Sequence, residues 1–174
     1  MLADERREEI LSILSDRSAP ITGTDLSKKT GVSRQVIVQD IAILRAKGLN
    51  IIATPQGYLL IKDGISRMSK VIACCHDKKG MRKELEIIVD NGGKVIDVTV
   101  EHSLYGEIKA MLMLESRLDI DNFMKHYEDS DTKPLSMLTG GVHLHTIEVP
   151  DETSYNHIIN DLEKHGYLIN NNSE

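Results

Sequence analysis

The chain has 174 residues, 40% hydrophobic and 28% charged, a balance that suits a folded protein and excludes a largely disordered one. One Phe, five Tyr and no Trp leave too few aromatic platforms for a reader of single-stranded RNA. Nine basic and eight acidic residues fall within residues 1–63, net +1, against twelve and nineteen beyond, net −7, so any nucleic-acid contact belongs to the front part and to local placement of its basic groups.

The charged start, with Asp4, Glu5, Arg6, Arg7, Glu8 and Glu9, lacks the apolar core of a signal peptide, and a cytoplasmic location is expected. Residues 3–17 read as a helix in which Ile10, Leu11, Ile13 and Leu14 form an apolar stripe. Pro20 disfavours helical geometry at Ala19 and ends it. A second helix spans about 23–30, with Thr24 as candidate N-cap and Leu26 facing inward. Gly31 stands where a helix C-terminus favours glycine. Ser33 caps a third helix over 34–47, where Ile37, Ile41 and Leu44 share one stripe. Arg34, Gln35, Val38, Gln39 and Arg45 point away from that stripe. Strands at 49–54 and 58–61, joined by Pro55-Gln-Gly57, make a hairpin.

This order is that of a winged helix-turn-helix. The stretch Leu26-Ser-Lys-Lys-Thr-Gly-Val-Ser-Arg-Gln-Val-Ile-Val-Gln-Asp-Ile-Ala-Ile-Leu-Arg45 resembles the DNA-binding module of biotin-repressor-like bacterial regulators. The chemistry suits double-stranded operator DNA: Arg reads guanine and Gln reads adenine in the major groove. Ser33 and the helix N-terminus can meet a phosphate. Ser33, Arg34, Gln35, Val38, Gln39 and Arg45 are the candidate DNA-contacting residues. A small three-helix packing module with an ordinary polar face is the plainer alternative.

Residues 62–67 form a short polar connection, which separates a DNA-binding domain over 1–63 from a second domain over 68–170. The second domain reads as strand 71–76, helix 79–91, strand 94–100, strand 107–114, helix from Ser116 to about Asp129, loop 138–141, strand 142–149, helix to His165, and a short strand 167–169. That is an α+β, ferredoxin-like βαββαβ pattern with an extra helix and strand. Runs such as 71–75 and 110–114 are far shorter than the roughly 18 residues a membrane span needs. Adjacent Cys74 and Cys75 cannot staple a loop.

Of the seven histidines, His143 and His145 lie two apart on one strand, so both imidazoles face the same side. Such a pair is half a transition-metal site, although strand histidines are more often plain surface or core residues. His76 ends another strand and Glu84 lies in the following helix, but sequence separation does not report whether they meet the pair. Cys74 shares the strand face of His76 and is either a further ligand or a small buried residue. Asp97, Glu101 and Glu107 fit solvated charges as well as acid–base work, and Gly140-Gly141 fits a plain turn.

The remaining segments are Val71-Ile-Ala-Cys-Cys-His76, Lys83-Glu-Leu-Glu-Ile-Ile-Val-Asp90, Asp97-Val-Thr-Val-Glu-His-Ser-Leu-Tyr-Gly106 and Thr139-Gly-Gly-Val-His-Leu-His145. In this order, behind the helix-turn-helix, they resemble the niacin-responsive repressors of NAD biosynthesis and niacin uptake, the NiaR (YrxA) family, whose second domain is the 3H domain. The resemblance implies one divalent transition metal (nickel, zinc or iron) on His76, Glu84, His143 and His145. It also implies nicotinic acid as corepressor, a homodimer, and no catalytic residues. Where the family has proline after a histidine this chain has Ser103, and His102 with Tyr105 is assigned to the effector pocket. The rival readings are a hydrolase-like metalloenzyme fused to a DNA-binding head, for which no general base is identifiable, and a repressor that senses the metal itself.

Overall fold

A computed structural model describes residues 2–62 and 67–169. The chain divides into two compact units, Met1–Gly64 and Ile65–Glu174. The connection expected at 62–67 and the frayed end expected at 170–174 lie largely outside the described residues.

In the first unit, α1 (Ala3–Ser15), α2 (Gly23–Thr30) and α3 (Arg34–Ala46) precede the hairpin β1 (Ile51–Thr54) and β2 (Gly57–Leu60). Ile10, Leu14, Leu26, Ile37, Ile41 and Leu44 bury one stripe of each helix against Ile21 and Ile51. The cap of α2 is Thr22 rather than the expected Thr24: its hydroxyl accepts the Asp25 N–H at 3.0 Å. Gly31, in the left-handed region at φ 69°, turns the chain into Ser33, whose hydroxyl caps α3. Ile21 pairs with Tyr58 through bonds of 3.0 and 2.8 Å, an isolated bridge that ties the segment before α2 to the hairpin. Charge also holds this unit. Asp40, buried on α3, accepts Arg6 Nε at 2.6 Å and Arg7 Nη1 at 3.1 Å from α1.

The second unit runs β3 (Met68–Cys75), α4 (Met81–Asp90), β4 (Lys94–His102), β5 (Gly106–Leu114), α5 (Arg117–Glu128), a 3-10 turn (Leu135–Thr139), β6 (Val142–Val149) and α6 (Glu152–Lys164). The loop expected at 138–141 is thus partly helical. The four strands form one antiparallel sheet in the order β3-β6-β4-β5. The α+β class and the βαββαβ succession with an added helix hold. The strand order permutes the ferredoxin-like one, because the second and fourth strands are central here rather than the first and third. The expected last strand is a single bridge, Cys74 to Leu168, on the free edge of β3. Leu85 and Ile88 of α4, Ile120 of α5, and Ile158 and Leu162 of α6 pack with Ile72, Val95, Leu114 and Ile147 of the sheet. One sheet face therefore carries all three helices. Along β6, His143, His145, Ile147 and Val149 turn to that face, and Val142 and Leu144 to the other.

Candidate functional site

On α3 the residues opposite the buried stripe are open to solvent. Ser33, Arg34, Gln35, Val38 and Gln39 are all exposed, which puts charge, amide and one apolar side chain on the first turns of the helix. Arg45 is exposed too, but its Nε donates to the Ile51 carbonyl at 2.6 Å. One edge of its guanidinium is committed to the hairpin. A second basic group was not singled out from sequence: Arg17, Lys28 and Lys29 line a concavity with Thr22 and Asp25 at the start of α2.

The second unit brings three histidines onto one carboxylate. Glu84, in the first turn of α4, is 1% exposed. His76 Nε2 lies 2.7 Å from Glu84 Oε2, His143 Nε2 3.0 Å from Oε1, and His145 Nε2 3.4 Å from Oε2. The other nitrogen of each ring faces a backbone carbonyl: His76 Nδ1 to Asp77 at 2.7 Å, His143 Nδ1 to Gly141 at 2.8 Å, and His145 Nδ1 to Asp97 at 2.6 Å. A carbonyl only accepts, so each Nδ1 carries a proton and each neutral ring presents an Nε2 lone pair to Glu84. Three lone pairs facing an ionised carboxylate repel unless a proton or a cation stands between them.

Cys74, Glu84 and His143 each offer a ligand atom within 4.8 Å of the others, a group able to hold a divalent ion, and His76 and His145 add their Nε2 atoms on the Glu84 side. Two ligand atoms about 2.1 Å from a common ion are about 3.0 Å apart at a right angle and about 3.4 Å apart at a tetrahedral angle; His143 and His145 stand 3.0 and 3.4 Å from Glu84, and His76 stands closer, at 2.7 Å. Backbone carbonyls of this kind are the outer partners that orient the rings of metal-binding histidines in general. Without an ion, protons serve the cluster. Burial works to raise Glu84, but the charge of His145 and hydrogen bonds from the three imidazoles hold it well below the usual carboxylate range. Burial works to lower His76 and His145, and Glu84 overcomes it and raises both.

Local structure explains how the rings are placed. Gly141, at φ 101°, lies so close to β3 that a Cβ would stand 2.4 Å from the His76 carbonyl oxygen. Its own carbonyl orients His143. Gly140-Gly141 is therefore more than a plain turn. Asp97 is 4% exposed, not a solvated charge. Its carboxylate accepts the Thr146 N–H at 3.1 Å, with Lys109 at 3.6 Å, while its carbonyl holds His145. His102 is not among the side chains that meet Glu84. Its Nδ1 accepts the N–H groups of Leu104 and Tyr105 within the β4–β5 turn, at 3.1 and 3.3 Å. Tyr105 is 71% exposed, its ring tilted by 34° against that of His102 with centroids 5.1 Å apart. Cys74 is fully buried near Glu84, and burial first, then the Glu84 charge, pushes its thiol up.

Residues 69–171 match the 3H domain, and residues 6–59 match an HTH domain. The chain is 46% identical over 165 residues to the probable transcription repressor NiaR of Thermotoga maritima, covering 95% of this chain and 94% of that protein. It is 40% identical over 172 residues to the transcription repressor NadR of Bacillus subtilis, covering 97% and 96%. The chain belongs to the NiaR family of transcription repressors. As a NiaR-family repressor it binds DNA and is not an enzyme, so the hydrolase-like alternative is set aside. Among the described residues no helix is long and apolar enough to cross a membrane.

Proposed function

We propose that this repressor is a cytoplasmic homodimer that senses nicotinic acid through a divalent metal ion in residues 68–170 and represses genes of NAD biosynthesis and niacin uptake. Residues 1–63 bind double-stranded operator DNA through Ser33, Arg34, Gln35, Val38 and Gln39, with Arg45 bracing the hairpin. His76, Glu84, His143 and His145 hold the ion, which is nickel, zinc or iron. The observation that carries the metal reading is the convergence of three Nε2 atoms on the buried Glu84 carboxylate, each ring locked by a backbone carbonyl. An ion with positions left open offers them to a pyridine carboxylate. The effector itself rests on the resemblance to niacin-responsive repressors. His102 and Tyr105 are its candidate contacts at the β4–β5 turn. A two-fold dimer presents two copies of α3 to half-sites spaced by the DNA helical repeat.

Nicotinic acid acts as a corepressor only by binding the DNA-competent state better than the other. The test is a mobility-shift titration of operator DNA at fixed salt, because salt alone changes such affinities strongly. Nicotinic acid should tighten binding by wild type, and His76→Ala should bind DNA at the basal level without responding. An undiminished response in His76→Ala separates the effector site from the metal. A response to metal alone, with none to nicotinic acid, gives the metal-sensing reading instead.

A further inference from the structure

We infer that Cys74 is a fifth protein donor to the ion, bound as thiolate. The inference rests on the metal reading above for the ion itself, and it adds a ligand outside the set of three histidines and one glutamate. Cys74 on β3 stands directly opposite His143 on β6, on the same sheet face, and is 0% exposed. Its sulfur, a ring nitrogen of His143 and a carboxylate oxygen of Glu84 all lie within 4.8 Å of one another. Donors facing each other across one ion, with sulfur at about 2.3 Å and nitrogen at about 2.1 Å, are about 4.4 Å apart. Contraction around a bound ion closes the remaining difference, most for the donor that lies beside the sulfur rather than across from it.

Charge favours the same arrangement. Three neutral imidazoles and one carboxylate leave a divalent ion with a net positive charge in a buried place, which is costly. A thiolate brings the centre to neutrality, and the thiol proton leaves to solvent as the metal–sulfur bond forms. Sulfur also biases metal choice toward a borderline-soft ion such as zinc, away from magnesium or calcium. Cys75 supplies an internal control. It is next in the chain, so it turns to the opposite sheet face, and its N–H is held by the Tyr167 carbonyl at 2.8 Å.

The experiment is a Co²⁺ titration of the metal-stripped full-length protein, followed by absorption. Wild type should show visible ligand-field bands together with a near-ultraviolet sulfur-to-cobalt charge-transfer band. Cys75→Ser should keep both features, and Cys74→Ser should keep the visible bands and lose the near-ultraviolet one. Ligand-field bands in wild type with no sulfur band overturn the role of Cys74 and leave the metal site standing. A sulfur band lost in Cys75→Ser also overturns it. Absence of any cobalt-dependent band in wild type overturns the metal reading, and this inference with it. The wild-type and Cys75→Ser spectra decide the matter even when Cys74→Ser does not fold.

Discussion

Glu84 is the residue on which the second unit turns. A carboxylate buried to 1% exposure costs folding energy unless it is compensated, and three imidazole nitrogens within 3.4 Å supply the compensation. Glu84→Gln keeps the size and one oxygen but removes the charge, so metal affinity should fall by at least about tenfold, read by competition with a chromophoric chelator. Unchanged affinity would mean that Glu84 is not a ligand. Gly141→Ala tests the scaffold behind the ligands: the new Cβ meets the His76 carbonyl and the backbone leaves its left-handed geometry. A loss of about 10–100-fold in metal affinity is expected, from a residue whose side chain never touches the ion. At this scale the sequence was partly legible. The spacing of His143 and His145 declared a pair, but His143 and Glu84 are 59 positions apart and only the packing of α4 on the sheet face that carries His143 brings them together. Resemblance, not spacing, named the four together. The roles of Gly141 and Asp97 run through backbone carbonyls, which leave no mark in a side-chain pattern.

At the scale of the element, α3 combines a buried stripe with an exposed first turn. Arg34→Ala should weaken operator binding by about 1–3 kcal/mol when the guanidinium reads a guanine, measured by titration of labelled operator with folding checked separately. An unchanged operator affinity in a folded variant would move the docking face elsewhere on the unit. The helices were readable because their ends are punctuated by Gly31, Ser33, Gly48 and the Ser116–Asp119 capping box. Thr22 was missed in favour of Thr24 because both hydroxyls stand near the helix start, and only backbone geometry picks the one that reaches Asp25. Strand order was not readable. Nothing local in 142–149 says that β6 inserts between β3 and β4, yet that insertion sets the two histidines over α4.

For the whole molecule, the proposed metal site has protons and metal competing for the same nitrogens, which sets a sign for the pH dependence of stability. In the metal-free protein His76 and His145 are raised above the ordinary imidazole value of about 6.5, because Glu84 outweighs their burial. The stability these groups contribute is fully present below the unfolded-state value and is lost as pH rises through the raised folded one. Glu84 is depressed, so its contribution is present above the usual carboxylate value and is lost only as pH falls toward the depressed one. Between about pH 5 and 8 the imidazoles therefore govern the change. The metal-loaded protein needs all three Nε2 lone pairs free and gains stability as pH rises through the same range. The difference in unfolding temperature between metal-loaded and metal-stripped protein should thus widen from pH 5 to 8, and bound metal should be released on acidification. Scanning both forms by thermal unfolding across that range, with metal content measured in parallel, checks this. A gap that stays constant with pH would show that these imidazoles do not bind the ion. A gap that widens in wild type but is flat in the His143→Ala/His145→Ala variant would assign the effect to the β6 pair. A helix-turn-helix unit whose core of Ile10, Leu26, Ile37 and Ile41 shares no residue with the sheet core should unfold without this pH signature.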